Sequence, residues 1–414
     1  MTRARRWLLA IAAVALLLAL ALWFVSRPQR VASLVMSQLG SALGLEITAR
    51  GVSEYTLAGG PRLVLRDVEA RAHGASRPLL HADRVDVSVP WSTVRTRGAD
   101  LAIKRIELDT PVLDVPMLQA WLASRPPSEE SKMPTLSDGL RVRDGRVVGA
   151  GWSIDAIALD VPRVMPGKPV EAQTSGRYVA RDTRVPFELA LKMTQPANDA
   201  GLGAHGTITL EQPGRRMPAT VRVSGPLHFD DHGVRIAPLR ASIAARYTQK
   251  DVDLPFAFAL NGPLRYEGGA VSLSPAGLAL RGKGLVPNFD GRAAFAYTDK
   301  AMLHLAGTLA TWPDAWPALP PPIGQSTSPL PVVLDYAGPF DFSDVARLQL
   351  TRDATRLDAR FALPAVLSWI DAAQSSPLPP LSGRLTTPTL DIGGAVLEGV
   401  DVRMHDPALD TAAP

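Results

Sequence analysis

The chain has 414 residues, no cysteine, 37 prolines and 44 basic against 40 acidic side chains. Without cysteine there is neither a disulfide framework nor a thiolate metal site. The nearly even charge, with part of the basic excess beside the first apolar segment, leaves no nucleic-acid footprint.

Trp7 to Val25 is a run of 19 residues without a charge, preceded by Arg3, Arg5 and Arg6. As a helix it reaches about 28 Å, close to the thickness of a bilayer core. Trp7 and Trp23 bracket it as interfacial membrane anchors, and the leading arginines favour a cytoplasmic N-terminus. A cleaved signal peptide is the alternative, with Ala19-Leu20-Ala21 as its small-residue site. Both readings export the remainder. Residues 1–27 are thus expected to be a cytoplasmic stub and transmembrane anchor. Residues 28–44 are expected to form a juxtamembrane amphipathic helix, with Val31, Leu34, Val35, Leu39 and Leu43 on one stripe.

Strands follow. Arg84 to Val89 alternates strictly, placing Val85, Val87 and Val89 on one face. Arg62 to Val68, Ile103 to Leu108 and Val112 to Val115 are further strands of a 45–124 β region. That region closes on a short helix, Pro116 to Ser124. Residues 125–138 are polar and proline-punctuated, and read as a linker. Residues 139–414 form a second β-rich region. Val185, Phe187, Leu189, Leu191 and Met193 share a face there, as do Leu254, Phe256, Phe258 and Leu260. Asn261-Gly262, Gly268-Gly269 and Asp290-Gly291 read as hairpin turns between strands. Trp312 to Pro331 is a proline-rich excursion in which Trp312 and Trp316 are candidate anchors for a protein partner. A late helix, Leu363 to Gln374, and a last hairpin, Leu381 to Met404, end the series.

A sheet with one apolar face has to cover it. Two solutions stay open on the pattern alone: a self-packed sandwich, or a long curled sheet whose apolar face is left for acyl chains. The candidate lining residues in the second case are Val85, Val87, Val89, Val185, Phe187, Leu189, Leu191, Leu254, Phe256, Phe258 and Leu260.

The chain carries none of the common catalytic or phosphate-binding motifs. His228 and His232 are the one close histidine pair, and Asp230, Asp231 and Gly233 mark that stretch as a polar turn rather than a metal site. No enzyme activity, cofactor or metal is expected. A secreted glycan-binding or hydrolytic β protein would require a carboxylate pair, and the sequence nominates none.

The order of these segments resembles the AsmA family of envelope proteins. The likeness runs through "LGLEI" (Leu43 to Ile47), "PRLVLRDVEAR" (Pro61 to Arg71), "LLHADRVDVSV" (Leu79 to Val89) and "GADLAIKRIELDTPVLDV" (Gly98 to Val115). It continues in "LRVRDGRVVGAGWSIDAIALDV" (Leu140 to Val161), where a short strand turns at Asp-Gly, and in the hairpin Leu381 to Met404. The resemblance implies a single-pass inner-membrane protein of a two-membrane bacterium with a periplasmic body. The implied fold is mainly β: one N-terminal transmembrane helix, then an elongated, curled, groove-like antiparallel sheet with a few short helices, related to bridge-like lipid transfer proteins. The implied partners are phospholipid or another acyl lipid and the membrane, and the implied role is phospholipid transport and outer-membrane biogenesis. The alternative is an envelope scaffold or secretion-accessory protein with a self-packed β body that binds another envelope protein.

Overall fold

The computed structural model describes residues 40, 44–56, 60–90, 102–124, 135–230, 233–249, 252–316, 319, 323–339, 342–371, 380–392 and 394–409. The expected anchor with Trp7 and Trp23, most of the 28–44 helix and residues 125–134 lie outside this set. Among the described residues no helix is long and apolar enough to cross a membrane. The chain divides into two compact units, with the boundary between Pro196 and Ala197. Both are mainly β.

The first unit contains β1 (Leu45–Thr56), β2 (Arg62–Ala72), β3 (Leu80–Ser88), β4 (Ala102–Ile103), β5 (Arg105–Asp109) and β6 (Val112–Asp114). Helix α1 (Val115–Ala123) follows, then β7 (Thr135–Leu136), β8 (Leu140–Val148), β9 (Ser153–Val161), β10 (Val170–Ala180) and β11 (Thr183–Met193). Asp114 starts α1 by accepting a hydrogen bond from Met117 N at 3.0 Å, which satisfies one of the free N–H groups of the first turn. The strands β1, β2 and β3 pair in antiparallel order, and β8 to β11 do likewise.

The junction corrects the expectation of a purely antiparallel sheet. Strands β5 and β6 pair antiparallel with β3 but parallel with β8. The chain between β6 and β8, α1 included, is long enough for the crossover that parallel pairing demands. Strands β4 and β7 form a separate parallel pair. The end of the expected linker is therefore sheet: Leu136 is buried and bonds to Val164 in both directions.

Among the described residues of this unit, one charged side chain is buried. Asp86 on β3 is 3% exposed and accepts from Arg62 Nε at 3.1 Å and Nη2 at 2.5 Å, and from Arg84 Nη2 at 3.3 Å. The carboxylate raises the Arg62 pKa above its ordinary value, mainly through that hydrogen bond.

The second unit is an up-and-down antiparallel series. It runs β12 (Ala200–Gln212), β13 (Arg215–Asp230), β14 (Gly233–Gln249), β15 (Val252–Glu267), β16 (Ala270–Gly282) and β17 (Phe289–Tyr297). Strands β18 (Ala301–Leu309), β19 (Leu330–Gly338), β20 (Val345–Arg352), β21 (Thr355–Ala362), helix α2 (Leu363–Asp371), β22 (Ser382–Ile392) and β23 (Ala395–Met404) complete it. Each strand pairs with the next.

Three expected turns are not turns. Asn261-Gly262 lies inside β15 and Asp290-Gly291 inside β17. Asp144-Gly145 lies inside β8, where the register shifts, and the reversal comes instead at Gly149 to Trp152. Gly268-Gly269 is a true hairpin turn, with φ of 56° and 84°, the left-handed pair that a two-residue hairpin needs.

Proline also does more in the second unit than mark loops. The registers of β13 to β17 shift at one level, and every shift contains a proline: Pro226, Pro238, Pro263 and Pro275. A residue with no N–H cannot donate to the ladder, so these four are accommodated where a bulge already breaks it, and bulges bend the strand. Residues from both sides of this seam, Leu239, Leu273, Ala276, Leu260 and Leu264, pack together.

Candidate functional site

The apolar positions of the second unit line up across its strands. One row runs Gly206, Val221, Ile243, Phe258, Leu280, Phe289, Leu309, Leu330 from β12 to β19. The row beside it, two residues along each strand, runs Ala204, Val223, Ala241, Leu260, Leu278, Gly291, Gly307, Val332 and continues to Leu350, Leu357, Leu385 and Val402. No polar side chain interrupts either row. Period-two alternation puts all of these on one face.

Exposure along the rows falls into two parts. Val221, Val223, Ile243, Leu254, Phe256, Phe258 and Leu260 are all half-buried, while their neighbours Asp253, Pro255, Ala257, Ala259 and Asn261 on the other face are exposed. The apolar face is sheltered by its own curvature and neighbours, without the full burial that a facing layer gives an interior strand. From β17 onward the picture changes. Phe289 is 6% exposed, Leu309 5%, Leu330 1% and Leu350 3%. Their cover is the chain between β18 and β19: Trp312, Trp316, Leu319 and Ile323 pack against this part of the sheet.

The excursion therefore faces inward. Trp312 and Trp316 meet edge to face with centroids 4.8 Å apart, and Trp316 Nε1 donates to Leu285 O at 2.9 Å. Both rings are partly buried against the sheet.

The other seven lining candidates belong to the first unit. Val85 and Val87 pair with Leu65 and Leu63 on one side and with Leu108 and Ile106 on the other. Val89 follows β3, and its N–H bonds Pro61 O. Val185, Phe187, Leu189 and Leu191 on β11 lie opposite Tyr178, Gly176, Thr174 and Ala172 of β10. All seven are half-buried. Gly176 lies beneath the Phe187 ring, since a Cβ there would come within 2.9 Å of Phe187 Cζ.

The opposite face of the second unit is laced with ion pairs. Arg347 holds Asp358 through Nε at 2.9 Å and Nη2 at 2.5 Å, and Arg384 pairs with Asp401. These guanidinium hydrogen bonds keep both carboxyls below their ordinary pKa. His304 Nδ1 lies 2.6 Å from Asp335. Such a surface favours water.

Of the histidine pair, His228 contacts Asp199 at 2.7 Å and His232 lies outside the described residues. Asp67, His81 and Asp83 are the one described group whose ligand atoms come within 4.8 Å of one another. Thr110 donates to Asp83 and the His81 Nε2 is 3.5 Å from Asp83, so the cluster already has partners of its own.

Sequence reasoning missed Ile243, because the flanking Ala241 and Ala245 hide its alternation, and it missed Gly291 and Gly307 as members of the row. No family model, curated protein or solved structure matches the chain.

Proposed function

We propose that this chain is a non-enzymatic, inner-membrane-anchored periplasmic protein that binds lipid acyl chains on the apolar face of its β-sheet and contributes to phospholipid transport and outer-membrane biogenesis. The observation that carries this reading is the stretch of the two rows from Val221 through Ile243 and Phe258, whose apolar side chains are half-buried rather than fully buried. Soluble proteins seldom leave a contiguous apolar surface of this kind without a use for it. A tail laid on it keeps each methylene from water, worth about 0.8 kcal/mol apiece. The head group stays solvated at the rim. The apolar run at Trp7 to Val25 would hold the body beside a source of lipid, and the AsmA-like order of segments supports the same role.

The test is direct. Full-length protein extracted in mild detergent is analysed by mass spectrometry for phospholipid. Bound lipid that disappears in Phe258→Arg, with the protein still folded, supports the proposal. Lipid-free wild-type protein argues against it.

A further inference from the structure

The two apolar rows of the second unit are fully buried at Phe289, Leu309, Leu330 and Leu350 and half-buried along β13 to β15, and the filling over the buried part is fixed in place. Ile323 is 1% exposed. Arg352, 6% exposed, donates from Nη1 to Ile323 O and from Nε to Ser328 O, both at 2.9 Å. Ser328 Oγ donates to Asp353 at 2.9 Å. Lifting the segment away would strip a buried guanidinium of both acceptors, which is costly. The floor is shaped for its cover as well: Gly291 and Gly307 leave room for the Phe289 ring where other residues of the row would carry side chains.

We infer that Trp312, Trp316, Leu319 and Ile323, with Ile323 held by Arg352, are a built-in stop that ends the acyl-binding face, so that lipid tails in this unit lie on β12 to β16 and are excluded from β17 to β22. This rests on the lipid reading above. Five strands give four spacings, about 19 Å, slightly more than the ~15 Å that one leaflet contributes to a ~30 Å hydrocarbon core. The open strip of this unit thus suits a single tail length of a long-chain acyl lipid. Trp316 and Leu319, packed on the cluster beside Leu278 and Leu280, form the wall at its end.

The wild-type full-length protein suffices for the test. It is reconstituted in vesicles of phosphatidylethanolamine and phosphatidylglycerol that contain a phosphatidylethanolamine with a diazirine in one acyl chain. After illumination, labelled peptides are mapped by mass spectrometry. Peptides covering 215–260 should carry roughly tenfold more label than those covering 330–357, the occupancy ratio that a difference of about 1.4 kcal/mol maintains. Equal label on both stretches, or more on the second, overturns the stop and leaves lipid binding standing. No label on either overturns the lipid reading, and the stop with it.

Discussion

Phe289 lies with its ring over Gly307: a Cβ built on that glycine would come within 2.4 Å of Phe289 Cζ and 2.4 Å of Asp290 O. The two residues are on neighbouring strands, and Gly307 pairs with Gly291. The flat floor they make lets Phe289 lie down and be covered by the excursion. Gly307→Ala should therefore push the ring off its seat at a cost of about 1–3 kcal/mol, the usual range for overpacking. Urea unfolding of the second unit checks this. An unchanged midpoint would show that the ring moves aside freely.

Arg352→Met keeps the apolar stem of the side chain but removes the guanidinium and with it both bonds to the excursion. The carbonyls of Ile323 and Ser328 then lose a buried donor. The expected loss is about 2 kcal/mol, accompanied by greater quenching of tryptophan fluorescence as Trp312 and Trp316 become accessible. Equal quenching in variant and wild type would mean that the apolar contacts alone hold the segment.

Stability should fall in acid. Asp358 and Asp401 are held below their ordinary pKa by Arg347 and Arg384, and Asp353 by Ser326 and Ser328. A carboxyl with a lower pKa in the folded chain than in the unfolded one stabilises fully above its unfolded value. That contribution is lost as the pH drops through the folded value. The urea midpoint of the second unit should thus hold steady down to about pH 4 and decline below it. The decline should shrink in high salt, since these pairs are exposed. A midpoint that is flat between pH 6 and pH 3 would contradict this.

Much of the sheet is legible from residue alternation. Leu254 to Leu260 reads as a one-sided strand because each apolar residue is followed by a small or polar one, and the structure places it so in β15. What sits on either side of a strand is not local information. Glycine is the clearest case. At Gly268 and Gly269 it supplies left-handed φ for a turn. At Gly262 it permits close approach to the next strand, where a Cβ would lie 2.8 Å from Pro275 O. Both occur in turn-like dipeptides, and the difference appears only once β15 and β16 are paired. Pro263 and Pro275 show the same limit, because alone each resembles a strand breaker while with Pro226 and Pro238 they mark the bulge seam. The excursion is the largest departure. Its last residues, Leu330 and Pro331, already belong to β19, which pairs on both sides, and its tryptophans pack on the chain's own sheet beside Phe289, Leu309 and Leu330.

Phe258→Arg is the most direct test, with lipid content and folding measured on the same sample. If the face of β13 to β15 is bare of protein, the guanidinium can reach water, and the unfolding free energy from urea denaturation should change by less than about 1 kcal/mol while bound phospholipid is lost. If the face is instead a closed core, the buried cation should cost several kcal/mol. Unfolding, with no lipid on the wild-type protein, would contradict acyl binding.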